Sequence, residues 1–147
     1  MTTDNLQREF SANGTFLMPV RVYYEDTDAG GIVYYANYLK YAERARSEYI
    51  RTLGFNQQEE LSADDKIAFA VRHCAIDYQK PAVLDDLLSV SCKITELGGA
   101  SATMYQEVRR GDELLVVLEV KVVCLNLAKK RPVRMPASLV QKIEKYI

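Results

Sequence analysis

The stretch from Glu25 to Arg46, EDTDAGGIVYYANYLKYAERAR, decides how the rest of the chain is read. Three acids (Glu25, Asp26 and Asp28) crowd its start, Gly30 and Gly31 follow, and tyrosine and alanine then recur at helical spacing. Tyr38, Tyr41, Ala42, Ala45, Tyr49 and Leu53 form an i, i+3/i+4 stripe. That stripe predicts one helix from near Asn37, about 17 residues and roughly 25 Å long. Gly54 suits its C-terminal end. Acids before a helix are ordinarily caps, because the N-terminal end of the helix dipole is positive. A glycine pair between the acids and the helix fits a cap poorly, since a cap sits directly on the first turn. Capping and catalysis both remain open at this point.

Outward from this stretch the period changes to two. Before it, Val20, Val22 and Tyr24 alternate with Arg21 and Tyr23, a half-buried strand beginning near Met18. After it, a polar QQEELSADDK segment leads to Cys74, Ile76 and Tyr78 alternating with His73, Ala75 and Asp77, and Pro81 ends that strand. Leu88, Val90, Cys92 and Ile94 form the next strand, and Gly98-Gly99 makes a turn. Ala102, Met104, Gln106 and Val108 carry a strand to the Arg110-Gly111-Asp112 turn, and a last apolar strand runs from Leu114 to about Leu127. Strand, helix and four strands joined by short turns imply an α+β fold with an antiparallel sheet packed on one long helix. Ala42 and Ala45 would let helix and sheet approach closely. Residues 1–17 read as a loosely ordered N-terminal segment and residues 18–147 as a single domain.

Composition narrows the function. The chain has 147 residues, 48% of them hydrophobic and 27% charged, with a net charge of −1, so no nucleic-acid-binding surface is indicated. Its start lacks a secretory pattern, and no apolar run approaches the ~20 residues of a membrane-spanning helix. The expected location is cytoplasmic, with at most peripheral membrane association. Cys74, Cys92 and Cys124 are isolated in apolar runs, form no C-x-x-C pair, and are expected to be buried, inert thiols. His73 is the only histidine, so a Ser–His–Asp or Cys–His mechanism would have to pass through it. No metal-ligand set is apparent.

VYYEDTDAGGIVYYANYLKYAERAR closely resembles the signature of the 4-hydroxybenzoyl-CoA-type acyl-CoA thioesterases, most nearly the branch associated with the bacterial Tol–Pal envelope system. AFAVRHCAIDYQKPAVLDDLL and the VVCLN strand extend the resemblance over most of Met18 to Pro136. It implies the hotdog fold, a five-stranded antiparallel sheet wrapped around one long central helix. It also implies hydrolysis of acyl-CoA with no cofactor, CoA being part of the substrate. The catalytic acid would be Asp28, as nucleophile or general base, and the backbone N–H of Tyr35 would polarise the thioester carbonyl. Gly30, Gly31, Val33 and Tyr34 would line the substrate. Residues of this kind suit the chemistry: glycines let a ligand approach the backbone, and free N–H groups at a helix start point at a carbonyl oxygen.

Two departures matter. Close relatives of the Tol–Pal branch often carry histidine at the position of Tyr35, so an imidazole role there is absent. Some relatives carry a basic cluster at the turn filled here by Gly98-Gly99, leaving Lys129, Lys130, Arg131 and Arg134 as the candidates for CoA phosphates. The tyrosines at 34, 35, 38 and 41 suit either an acyl pocket or the core. The resemblance implies a homodimer or homotetramer, with an acyl carrier protein as a second carrier of the acyl group. The alternative function is an acyl-CoA or acyl-carrier-protein binding scaffold tied to envelope maintenance. Hydratase chemistry on the same fold pairs a histidine with an acid, and His73 is remote in sequence from the acid loop.

Overall fold

A computed structural model describes residues 8–11, 13–64 and 66–147. The elements are β1 (Glu9–Phe10), β2 (Phe16–Arg21), α1 (Asn37–Thr52), α2 (Gln57–Ser62), β3 (Ile67–Tyr78), β4 (Leu87–Leu97), β5 (Ser101–Arg110), β6 (Glu113–Asn126), β7 (Arg131–Pro132) and α3 (Ala137–Glu144). One antiparallel sheet in the order β1-β2-β4-β5-β6-β3 curls around α1, and β7 adds to the end of β6. This is the α+β hotdog architecture, with two two-residue strands beside the five long ones.

The tyrosine–alanine stripe does what its spacing implies. Tyr41, Ala42, Ala45 and Tyr49 are buried, and α1 packs on β4 and β2. The two alanines present only a Cβ to the sheet, and they share one buried cluster with Leu88, Val90 and Cys92 of β4. Gly54 adopts φ +91° and its N–H bonds to the Arg51 carbonyl at 2.9 Å, which stops the helix. Gln106, wholly buried beneath α1, donates from Nε2 to the carbonyls of Ala42 (3.0 Å) and Ser91 (3.2 Å).

Several local expectations change. Part of the segment 1–17 lies outside the described residues, but within it Glu9–Phe10 forms β1 and pairs with β2. The first strand stops at Arg21, not Tyr24, because Asp26 Oδ2 accepts the Tyr23 N–H at 2.8 Å and bends the chain into a 3-10 turn. The polar QQEELS segment is helix α2, started by Asn56, whose side chain accepts the Glu59 N–H. The strand order, which the sequence leaves open, puts β3 beside β6 at the sheet edge and not beside its sequence neighbour β4. Cys74 on β3 is therefore exposed, contrary to its expected burial, while Cys92 and Cys124 are buried. Burial pushes the Cys92 thiol up to about 12, so it stays protonated and inert. No helix among the described residues is long and apolar enough to cross a membrane.

Candidate active site

The acid–glycine stretch folds into a small hairpin at the mouth of α1. Thr27 and Val33 form an antiparallel bridge; the Asp28 N–H donates to the Ile32 carbonyl (2.8 Å) and the Tyr34 N–H to the Asp26 carbonyl (2.9 Å). Gly31 adopts φ +85° at the tip, a conformation that side-chain-bearing residues avoid. Gly30 has a different role. Its N–H donates to Asp28 Oδ1 at 2.8 Å, and a Cβ added there would stand 3.2 Å from that oxygen. The exposed Asp28 carboxylate is thus aimed by one backbone bond, and its Oδ2 has no partner among the described residues.

The acids do not cap the helix. Ala36 occupies the cap position without a side-chain bond, and the first turn of α1 holds no acid. Asn37 is buried and ties the hairpin to the helix, its Nδ2 donating to the Asp26 carbonyl at 2.8 Å. The Asn37 N–H bonds to the Tyr34 carbonyl, whereas the N–H groups of Tyr35 and Ala36 find no acceptor among the described residues. A helix start thus presents free donors beside an exposed carboxylate, which suits an incoming carbonyl oxygen.

The tyrosines sort cleanly. Tyr38 and Tyr41 are core residues at 3% and 1% exposure, whereas Tyr34 and Tyr35 stand out at 47% and 62%. Burial raises the Tyr38 and Tyr41 phenols above their ordinary pKa, in Tyr41 with help from nearby Asp26, so both stay neutral. The Tyr35 ring meets Tyr34 edge-on at 5.0 Å and Tyr78 at 6.1 Å, and the Tyr78 hydroxyl donates to the Tyr35 carbonyl at 3.1 Å. The Tyr35 and Tyr78 rings, with Ile32, Val33, Tyr38 and Pro81, bound an open depression of about 270 Å³.

A third segment, 79–86, braces the hairpin. Val33 N–H donates to the Ala82 carbonyl (2.9 Å) and Ala82 N–H to the Tyr38 hydroxyl (3.0 Å). Arg110 clamps that segment by reaching Asp86 at 2.8 Å and Glu113 at 2.6 Å, and Lys80 pairs with Glu113 at 2.9 Å. Asn37, Tyr78 and the Arg110 clamp were missed in the sequence. Only the matched DYQKP segment hinted at Tyr78, and nothing local distinguishes Asn37 or Arg110 from surface polar residues.

Asp28, Gly30, Gly31, Val33, Tyr34 and Tyr35 thus share one hairpin, but Lys129, Lys130 and Arg131 do not join them. Tyr78, at the site, and Ile67 are opposite ends of β3, and Ile67 pairs with Asn126, whose β7 partner is Arg131. That separation is on the order of 30 Å along the strand. Arg134 lies against the Gly98-Gly99 turn, where a Cβ on Gly99 would stand 3.4 Å from its guanidinium. His73 is exposed on β3 without a hydrogen-bonded carboxylate among the described residues.

Residues 30–117 match the family model of the thioesterase superfamily. The chain is 50% identical over 121 residues to an acyl-CoA thioesterase, YbgC, of Haemophilus influenzae, covering 82% of this chain and 88% of that one. It is 42% identical over 130 residues to the acyl-CoA thioester hydrolase YbgC of an Escherichia coli strain, covering 88% and 96%. Among solved structures, a probable thioesterase from Bartonella henselae superposes with a TM-score of 0.79 at 37% identity, covering 83% of this chain and 99% of that one. The chain belongs to the thioesterase superfamily and is a hotdog-fold thioester hydrolase.

Proposed function

We propose that this protein hydrolyses acyl-CoA thioesters at the Asp28 hairpin. The observation that carries the reading is the pairing of an exposed, backbone-aimed Asp28 carboxylate with the unpartnered Tyr35 N–H at the start of α1. The Tyr35 N–H polarises the thioester carbonyl. Asp28 then either attacks that carbon, expelling CoA thiolate and leaving an anhydride that water cleaves, or takes a proton from a water that attacks instead. Either route yields the free acid and CoA. One oxyanion donor contributes roughly 3–4 kcal/mol, against about 0.3–1 kcal/mol for a helix dipole, so the local N–H outweighs the macrodipole. Gly30, Gly31, Val33 and Tyr34 shape the approach, and no cofactor enters.

The edge strand supports an assembly. β3 is a twelve-residue strand whose one side pairs with no strand among the described residues, and it has exposed residues on both faces. A second copy adding there antiparallel would set its own Ile67 end, with its basic turn, beside the first copy's Tyr78. Lys129, Lys130 and Arg131 would then meet CoA phosphates from the neighbouring subunit, in a homodimer or a tetramer of two such pairs. A cytoplasmic role with the Tol–Pal envelope branch, and an acyl carrier protein as a second acyl donor, complete the reading. Steady-state hydrolysis across acyl-CoA chain lengths is the test. Turnover that vanishes in Asp28→Asn supports it. Tight acyl-CoA binding without turnover would leave the scaffold reading in its place.

A further inference from the structure

Arg46 is an unusual charge for its setting. On α1 it is about half-buried against the sheet, and Nη1 donates to Gln106 Oε1 at 2.9 Å. Gln106 is itself held by its two bonds to main-chain carbonyls, so the guanidinium sits on a rigid support. A guanidinium carries five donors, and this one uses a single donor on a neutral acceptor. No carboxylate among the described residues pairs with it. Removal from water lowers its pKa, an effect that the nearby Glu43 carboxylate opposes only in part.

Next to Arg46 is a cavity of about 110 Å³ between α1, β3 and α3, walled by Ile50, Phe69, Met104, Met135 and Ile143. Three other polar groups on its rim, Glu43, Ser47 and Gln57, are chained together. Ser47 Oγ donates to Glu43 Oε1 at 2.7 Å and accepts from Gln57 Nε2 at 3.2 Å. Gln57 keeps a second amide N–H, but Arg46 is the only cation among the described residues that line the cavity, and it also borders the open cleft toward Leu39 and Cys74. An apolar cavity with one convergent cation is the pattern of a small-ligand site. Its volume is a little under the roughly 150 Å³ that accommodates a benzene ring, so it suits a tail of about five carbons.

We propose that this cavity binds a short amphipathic carboxylate, with the apolar tail among Ile50, Phe69 and Ile143 and the carboxylate on the Arg46 guanidinium. Two parallel N–H···O bonds fit the fork of one to the two oxygens of the other. The site is separate from the hairpin: Arg46 lies roughly 16 Å along α1 from Tyr35. It rests on Arg46 and the cavity and stands whether or not the hydrolysis reading holds.

Methionine-methyl NMR of the full chain tests this, because Met104 and Met135 line the cavity and Met18 lies in the core away from it. Titration with hexanoate should shift the Met104 and Met135 methyls saturably while Met18 stays still. Neutral 1-hexanol should bind at least about tenfold more weakly, the scale of one charge-assisted hydrogen bond. Ile143→Trp, which fills the cavity, should abolish the shifts, and Arg46→Gln should remove the preference for hexanoate. Hexanoate binding only at the hairpin would leave both reporter methyls unmoved and overturn the proposal. Equal affinity for hexanoate and hexanol would also overturn it, and that ratio is read on the unmodified protein whether or not either variant folds.

Discussion

Asp28 and Asp26 are two residues apart and do different work. Asp28→Asn keeps an Oδ1 acceptor for the Gly30 N–H, so the hairpin should persist while the base or nucleophile is lost. kcat is expected to fall at least about a hundredfold, the usual scale for a general base. Asp26 holds structure: its carboxylate takes the Tyr23 N–H and its carbonyl takes Tyr34 and Asn37. Asparagine there retains an acceptor, so Asp26→Asn should cost far less, and equal losses at both positions would defeat the assignment. Tyr35 separates ring from backbone. Its hydroxyl makes no hydrogen bond among the described residues and the ring is mostly exposed, so Tyr35→Phe should change kcat little. Gly31→Val, by contrast, puts a β-branched residue at φ +85° and should cripple turnover by distorting the tip, although a Cβ there has open space. A crippled Tyr35→Phe beside an active, folded Gly31→Val would overturn the backbone-donor mechanism.

At the scale of elements, the brace matters more than the helix. α1 is secured by its buried stripe, whereas segment 79–86 depends on ion pairs at the surface. Arg110 first, and then Lys80, holds the exposed Glu113 carboxyl below the ordinary glutamate range. A depressed carboxylate contributes stability above its unfolded pKa of about 4.3 and loses that contribution as pH falls through its folded value. The difference in urea midpoint between the natural chain and Glu113→Gln should therefore be present at neutral pH and shrink on acidification to about pH 3. A difference that widened with acid would show that the clamp is not what Glu113 supplies.

For the whole molecule, the exposed β3 edge carries the prediction. Val71 is 51% exposed in the single chain, so Val71→Asp should leave that chain folded. If β3 pairs with a second copy, a buried charge at mid-strand should split the assembly, seen by light scattering, and reduce activity with it. A variant that remained as assembled and as active as the natural chain would place the interface elsewhere. The hairpin group lies within one chain, and the basic turn would approach it only across such an assembly.

The sequence by itself determined the α1 stripe, the period-two strands after it, the acid–glycine motif and, through that motif, the family. These are local signals: a helix stripe and a strand alternation are written within a few turns of chain. The tertiary structure alone decided that β3 crosses to the far edge, and so that Cys74 is exposed and that Lys129 to Arg131 stand far from Asp28. It also decided which tyrosines are core, that Ala36 and not an acid heads α1, and that Arg46 is short of partners. Each of those depends on which distant segment fills a given face, and period two is the same whether a strand ends up central or at an edge.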